Sequence, residues 1–464
     1  MRQWQKSAII MTFIAITFFW LGHVIRVINV GALASLIPNF RTILTVSLIA
    51  VVITFGWFIF KDDTRVVKTY RLLTIVAVFL AITTTGRIVI EMIRQPVIEP
   101  KQNIVTQPPT SKDLPDIYYI IVDGHGRSDI LQEFFQHNNS AFIQSLEELG
   151  FYVAVNSTAN YTNTYHSLAS SLNYNYINYL ETEDFDPRDI RPLQKLIKDN
   201  SVTQFLQERG YTFVVGSSGW TGTEEIAADI TMAGTVRINE FETILLSTTV
   251  LDALTSYHFS YLNHHNRILY LLNHLDDVAD DPRPTFTFAH VLSPHPPFVF
   301  NQDGSMPKHN YPVVFNEFLW TKLSDRSIAD YVKGYRQQVN YIDKRLVEIA
   351  TAIINRSTQP PIIIIQGDHG PAQYFDYQNI NDTGLRERMS ILNAYYAPAA
   401  NQDFFSTITP VNTFRVIFNN YFNADLPLLS DRNYLTDFNG QSLNSFYDVT
   451  DIVASSILQP DNAN

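Results

Sequence analysis

Three long apolar runs crowd the first ninety residues, and beyond them the pattern shortens and begins to alternate. AIIMTFIAITFFWLG (8–22), ILTVSLIAVVITFGWFIF (43–60) and LLTIVAVFLAITTTGRIVI (72–90) are almost free of charge. A helix crossing the hydrocarbon core of a bilayer needs about 17–25 such residues, so the first run must borrow flanking positions such as 23–25. Arg2 and Lys6 would suit the basic start of a signal peptide, but a signal peptide explains neither of the two runs that follow. Three runs so close together also argue against buried helices of a soluble core. The connection KDDTRVVKTYR (61–71) carries Lys61, Arg65, Lys68 and Arg71, whereas the first connection offers only Arg26 and Arg41. Basic loops stay in the cytoplasm, which places the N-terminus and the 61–71 loop there. The expectation is an anchor of about three transmembrane helices over 1–92, in the cell membrane, with the rest of the chain extracytoplasmic.

The stretch RQPVIEPKQNIVTQPPTSKDLP (94–115) has five prolines and no apolar period, which reads as an extended tether over 93–115. From 116 to 458 no second break and no internal repeat interrupts the chain. DIYYIIV (116–122), YTFVVG (211–216), TFTFAHV (285–291) and IIIIQ (362–366) are short, β-branched or aromatic, and nearly continuous in hydrophobicity, as strands covered on both faces are. SDILQEFFQHNNSAFIQSLEELG (128–150) and DYVKGYRQQVNYIDKRLVEIATAIINR (330–356) have helical spacing between them. Strands alternating with helices predict an α/β domain with a mostly parallel central sheet flanked by helices. The tail SSILQPDNAN (455–464) reads as frayed.

Composition narrows the function. The net charge of −12 comes without any basic block, which argues against nucleic-acid binding. The chain has no cysteine, so disulfides, thiolate metal sites and cysteine nucleophiles are excluded.

In a parallel sheet, ligands bind beyond the carboxyl ends of the strands. The strand at 116–122 exits into Asp123-Gly124-His125-Gly126, and the strand at 362–366 into Gly367-Asp368-His369-Gly370. The strand at 285–291 carries His290 and exits into SPHPPF with His295. Carboxylates and imidazoles beside glycine suit a hard or borderline metal, because glycine lets backbone and substrate approach closely. Either motif alone would also serve as a plain turn. A hydroxyl nucleophile is available in NYTNTYHSLASSLNYNY (160–176), where Asn163-Thr164 precede a helix-like run. Helix N-termini favour anions, although Asn163 or Thr164 could equally serve only as a cap. The aromatic segments YNYINYL and YFDYQNI could line an acyl or sugar groove, or simply pack.

Five segments in order, IYYIIVDGHGRSD, NYTNTYHSLASSLN, FAHVLSPHPPFVF, IIIIQGDHGPA and ITPVNTFRVIFNNYF, resemble the membrane-anchored sulfatase-like branch of the alkaline phosphatase superfamily, whose relatives include lipoteichoic acid synthases and phosphoethanolamine transferases. The resemblance spans 116–451 and implies an alkaline-phosphatase-like fold. It implies that Asp123 is a metal ligand, that Thr164 both binds the metal and forms a covalent intermediate, that Asp368 and His369 complete the site, and that His295 contacts the substrate phosphate. The implied cofactor is a divalent metal, manganese or zinc. Two departures stand out. No Cys/Ser-x-Pro-x-Arg signature is present, which disfavours sulfate-ester hydrolysis. No histidine follows the Asp-His-Gly segment closely, and His125, His166 and His290 sit in no recognisable pattern, which favours one metal. The expected function is a membrane-embedded transferase or hydrolase of phosphate esters. It would move a phosphoglycerol- or phosphoethanolamine-type group from a membrane lipid donor to a glycan, lipid or polymer acceptor of the envelope. A sulfuric ester hydrolase, a simple phosphatase or phosphodiesterase, and a non-catalytic envelope binding protein are the alternatives.

Overall fold

The computed structural model describes residues 2–29, 40–93, 114–183, 185–224, 226–234, 238, 240–249, 257–308, 327–377, 380–436 and 442–458. Residues 94–113 of the tether expected over 93–115, and the end of the tail, lie outside these residues. The main helices are α1 (Arg2–Asn29), α2 (Phe40–Phe60), α3 (Asp63–Ile93), α4 (Ser128–Phe135), α5 (Ser140–Glu148), α6 (Thr164–Ser171), α7 (Glu240–Thr248), α8 (Tyr257–His274), α9 (Ile328–Arg356), α10 (Asp382–Met389) and α11 (Pro410–Phe422). The strands are β1 (Ile117–Val122), β2 (Tyr152–Val153), β3 (Thr212–Gly216), β4 (Ile230–Met232), β5 (Thr285–Val291), β6 (Ile362–Gln366), β7 (Asn393–Tyr396), β8 (Tyr434–Thr436) and β9 (Phe446–Asp448).

The chain divides into two compact units, one of Met1–Val97 with Ile238–Ser260, the other of Ile98–Arg237 with Tyr261–Asn464. In the first unit α1, α2 and α3 pack on one another, and Ile9, Ile59 and Val66 are buried where they meet. Most of the remaining apolar side chains face outward: Ile53, Ile75 and Ile82 are each 67% exposed. In water such a surface would be costly; in hydrocarbon it is not. Among the described residues, one helical stretch, Asp63–Arg87, is long and apolar enough to cross a membrane, and a shorter apolar stretch covers Val46–Phe60. The segment Ile238–Ser260 falls inside what the sequence reads as one continuous domain, yet its helix α7 packs against α1.

The second unit is built on a seven-stranded sheet in the order β2-β7-β6-β1-β5-β3-β4. The five strands from β6 to β4 run parallel, while β7 is antiparallel to β6 and β2 to β7. The four strands expected from continuous hydrophobicity are β1, β3, β5 and β6, and every residue in them is buried. One face of the sheet packs on a core that includes Tyr119, Phe288, Phe414 and Phe418, the last two from α11. The stretch read as one helix over 128–150 is two, α4 and α5, because Gln136 takes a left-handed conformation (φ 50°) that ends the first. The register aligns Ile121 of β1 with His290 of β5 and Gln366 of β6. Three strand exits therefore open side by side at the middle of the sheet.

Candidate metal centre and nucleophile

Asp123 follows the last residue of β1, and Asp368-His369 follow β6 after a single glycine. Both loops are held by the strands beneath them and by each other: the Gly124 N–H donates to Asp368 Oδ1 (3.0 Å). Gly124 itself needs a positive φ of 73°, which other residues rarely take. Gly370 is required for a different reason. A Cβ there would run into the Glu387 carbonyl oxygen of α10, so the chain after His369 can pass only as glycine.

The side chains converge. One ligand atom from each of Asp123, Asp368 and His369 lies within 4.8 Å of the others. His369 Nε2 is 3.2 Å from Asp368 Oδ2 and 3.7 Å from Asp123 Oδ1. On the opposite wall Asn163 caps α6, its side chain accepting from the His166 N–H. Asn163 is therefore the cap, and Thr164, the first helical residue, is left with its hydroxyl free to reach across: Oγ1 lies 3.1 Å from His369 Nε2.

The hydrogen bonds select one tautomer of His369. Its Nδ1 lies 2.9 Å from the Gly370 carbonyl, an acceptor only, so Nδ1 carries the proton and Nε2 presents a lone pair. Arg388 Nη2 donates to that lone pair (3.1 Å), while its Nε and Nη1 bind the Thr162 and Gly370 carbonyls. The nitrogen that accepts from Arg388 thus faces two carboxylates, all nearly inaccessible to water: Asp368 and His369 are each 1% exposed. Asp123 Oδ1 and Asp368 Oδ2 receive no hydrogen bond. Orphaned carboxylate oxygens in a dry pocket cost several kcal/mol each, and a cation among them removes that penalty. The donor set fits a divalent metal. The ionised form of Asp123 is already favoured: burial opposes its charge, but His295 and His290 beside it hold the carboxyl well below the usual range.

His295 stands at the rim, half-buried, with its ring centre 6.3 Å from that of His369 and its Nδ1 donating to the Pro296 carbonyl. His290 is closer than its sequence context suggests. Its Nε2 lies 3.4 Å from Asp123 Oδ2 and its Nδ1 2.9 Å from the Thr223 hydroxyl. His125 and His166 turn elsewhere, His125 to Asp343 and His166 to Asn163 and the Leu443 carbonyl. Of the aromatic segments, Tyr174 is core, and the Tyr176 hydroxyl is spent on the Ser430 carbonyl. Tyr165, beside Thr164, and Trp220 have ring centres 4.3 Å apart, and Trp220 is edge-on to His290.

A second support lies behind the first loop. On α9, the Tyr335 hydroxyl donates to the Gly124 carbonyl and accepts from the Gly126 N–H, and Asp343 Oδ1 takes His125 Nε2 at 2.7 Å. His125 is fully buried. Replacing Asp343 by leucine strands it and is expected to cost about 3–5 kcal/mol, while Asp343→Asn keeps an acceptor and is expected to cost less than half of that. Urea midpoints of the two variants in one detergent check this, and equal midpoints would remove Asp343 from the account.

No family model matches the chain, and no curated protein matches it. Solved structures do. The C-terminal periplasmic domain of EcEptC from Escherichia coli is similar at 11% identity, TM-score 0.47, over 76% of this chain and 97% of that one; the same domain is also known as a complex with Zn. The lipooligosaccharide phosphoethanolamine transferase A (EptA) of Neisseria meningitidis is similar at 13% identity, TM-score 0.44, over 82% and 69%. The C-terminal periplasmic domain of phosphoethanolamine transferase EptC from Campylobacter jejuni is similar at 12% identity, TM-score 0.41, over 68% and 91%.

Proposed function

We propose that this chain is a membrane-anchored, metal-dependent transferase or hydrolase of phosphate esters in which Thr164 is the nucleophile. The observation that carries the reading is the approach of the Thr164 hydroxyl to the buried Asp123, Asp368 and His369 set. Asp123, Asp368, His369 and Thr164 Oγ would hold one divalent metal, zinc or manganese. A metal bound there lowers the pKa of a hydroxyl and neutralises phosphate charge. The chain's own residues do the rest. Arg388 ties the Thr162 carbonyl to Gly370 and His369, which fixes the distance between nucleophile and acid–histidine pair. His290 Nε2 lies beside the rear oxygen of Asp123. The N-terminal end of α6 favours incoming negative charge, and His295 at the rim would contact the phosphate.

In the proposed first half-reaction Thr164 gives up its proton and its oxygen forms a bond to phosphorus. The bond from phosphorus to the donor's alcohol oxygen breaks, and the alcohol leaves protonated. An acceptor hydroxyl or water then takes the phosphoryl-alcohol group from Thr164. A membrane lipid is the donor and an envelope glycan, lipid or polymer the acceptor. The apolar stretch Asp63–Arg87, with its side chains facing outward, supports a membrane anchor; the basic 61–71 loop supports an extracytoplasmic catalytic unit. Incubation of the full chain with phosphatidylglycerol or phosphatidylethanolamine and zinc or manganese is expected to give an intact-mass adduct that identifies the transferred group. Absence of any adduct, with aryl phosphates also left intact, would favour the non-catalytic alternative.

A further inference from the structure

The first unit carries a site of its own. Ile10, Ile14 and Phe18 of α1 and Val52, Gly56 and Trp57 of α2 line a groove of about 580 Å³ whose walls are almost wholly apolar. Gly56 makes the recess, because it contributes no side chain and a Cβ there would meet only the edge of Phe60 at 4.0 Å. The lining runs along α2 from Ile49 to Phe60, a rise of about 16 Å, which is about half the ~30 Å hydrocarbon core. The groove is one leaflet deep.

One end is charged. The Lys61 ammonium sits 3.6 Å over the ring of Trp57, a lining residue. Lys6, one turn before Ile10 on the same stripe of α1, lies at that end as well and is shared with Asp63 at 3.3 Å. The three helices close beneath them through Ile9, Ile59 and Val66. An apolar slot with cations at one end matches an amphiphile with one anionic head group. A packed helix is too large: a cylinder about 10 Å across and ~16 Å long takes roughly 1,300 Å³.

We infer that this groove holds one acyl chain of an anionic phospholipid from the leaflet on the Lys6 and Lys61 side, with its phosphate at the two ammonium groups. The groove is lined by residues of the first unit alone and rests on the reading of α1 and α2 as membrane-embedded. The full chain, extracted in mild detergent and exchanged against phosphatidylglycerol or phosphatidylcholine of equal chain length, is examined by native mass spectrometry. Wild type is expected to keep one lipid and to prefer phosphatidylglycerol at least about fivefold per engaged lysine. Gly56→Leu fills the recess and is expected to lose that lipid. Lys6→Gln with Lys61→Gln leaves the helices intact and is expected to erase the preference while a lipid still binds. Retention unchanged in Gly56→Leu, or no head-group preference in wild type, overturns the site, as does a dimer that Gly56→Leu dissolves. Alkaline carbonate washing of membranes separates the two levels. Release of the chain overturns the membrane reading itself, whereas a chain that stays in the pellet but retains no lipid overturns only the groove.

Discussion

Thr164→Ala is expected to lower turnover by at least about a thousandfold, equivalent to about 4 kcal/mol of barrier, while the protein folds as before. The variant should be stable because the helix loses nothing it depends on. Asn163, not Thr164, caps α6, and alanine is the better helix former at the first position. What disappears is the one hydroxyl 3.1 Å from His369 Nε2. Thr164→Ser restores that oxygen and removes only a methyl group, so it is expected to recover activity to within about tenfold of wild type. Head-group transfer from a fluorescent lipid measures both, and circular dichroism of the same samples monitors the fold. The serine rescue is the discriminating arm. If alanine and serine are equally impaired, Thr164 is a packing residue and another nucleophile must be sought. If alanine retains more than about a tenth of the rate, the covalent route is wrong.

The part of this picture that can be read from sequence is local. Ile362–Ile365 is continuously apolar because β6 lies between two strands with both faces covered, and the change to Gln-Gly-Asp-His-Gly marks where the strand gives way to the site. The same contrast marks the end of β1. Asn163 and Thr164 announce a helix start, but only the structure shows which of the two caps it. Long-range partners leave no such trace. Arg388 reads as a basic residue in the last turn of α10, though its guanidinium spans Thr162, Gly370 and His369. Asp343 is one acid in a long amphipathic helix, 218 residues from the histidine it holds. His290 is hidden in TFTFAHV as an interior residue of an apolar strand. The antiparallel β7 is only four residues long, and its pairing beside β6 is decided by tertiary contacts. Ile238–Ser260 groups with the N-terminal helices without any Gly or Pro to signal the change of unit.

The metal centre predicts opposite effects on two quantities from one substitution. With no cation bound, the pocket holds two carboxylates whose inner oxygens, Asp123 Oδ1 and Asp368 Oδ2, receive no hydrogen bond. Asp368→Asn removes one of those charges. It keeps Oδ1 for the Gly124 N–H and replaces the orphaned, charged oxygen by a neutral amide group 3.2 Å from His369 Nε2, which already accepts from Arg388. The metal-free variant is therefore expected to melt at or above the temperature of the metal-free wild type. Its response to metal should be the reverse. Wild type at a metal concentration of about 100 times Kd gains about 2.7 kcal/mol, a rise of roughly 5–10 °C for a domain of this size, and chelation should reverse it. Asp368→Asn is expected to show less than a quarter of that rise, with calorimetric affinity for zinc or manganese reduced by at least about a hundredfold. Thermal melts of both proteins, with and without metal, check both signs together. A metal-free variant much less stable than wild type would make Asp368 a structural hydrogen-bonding residue, and an undiminished metal shift in the variant would place the ion elsewhere.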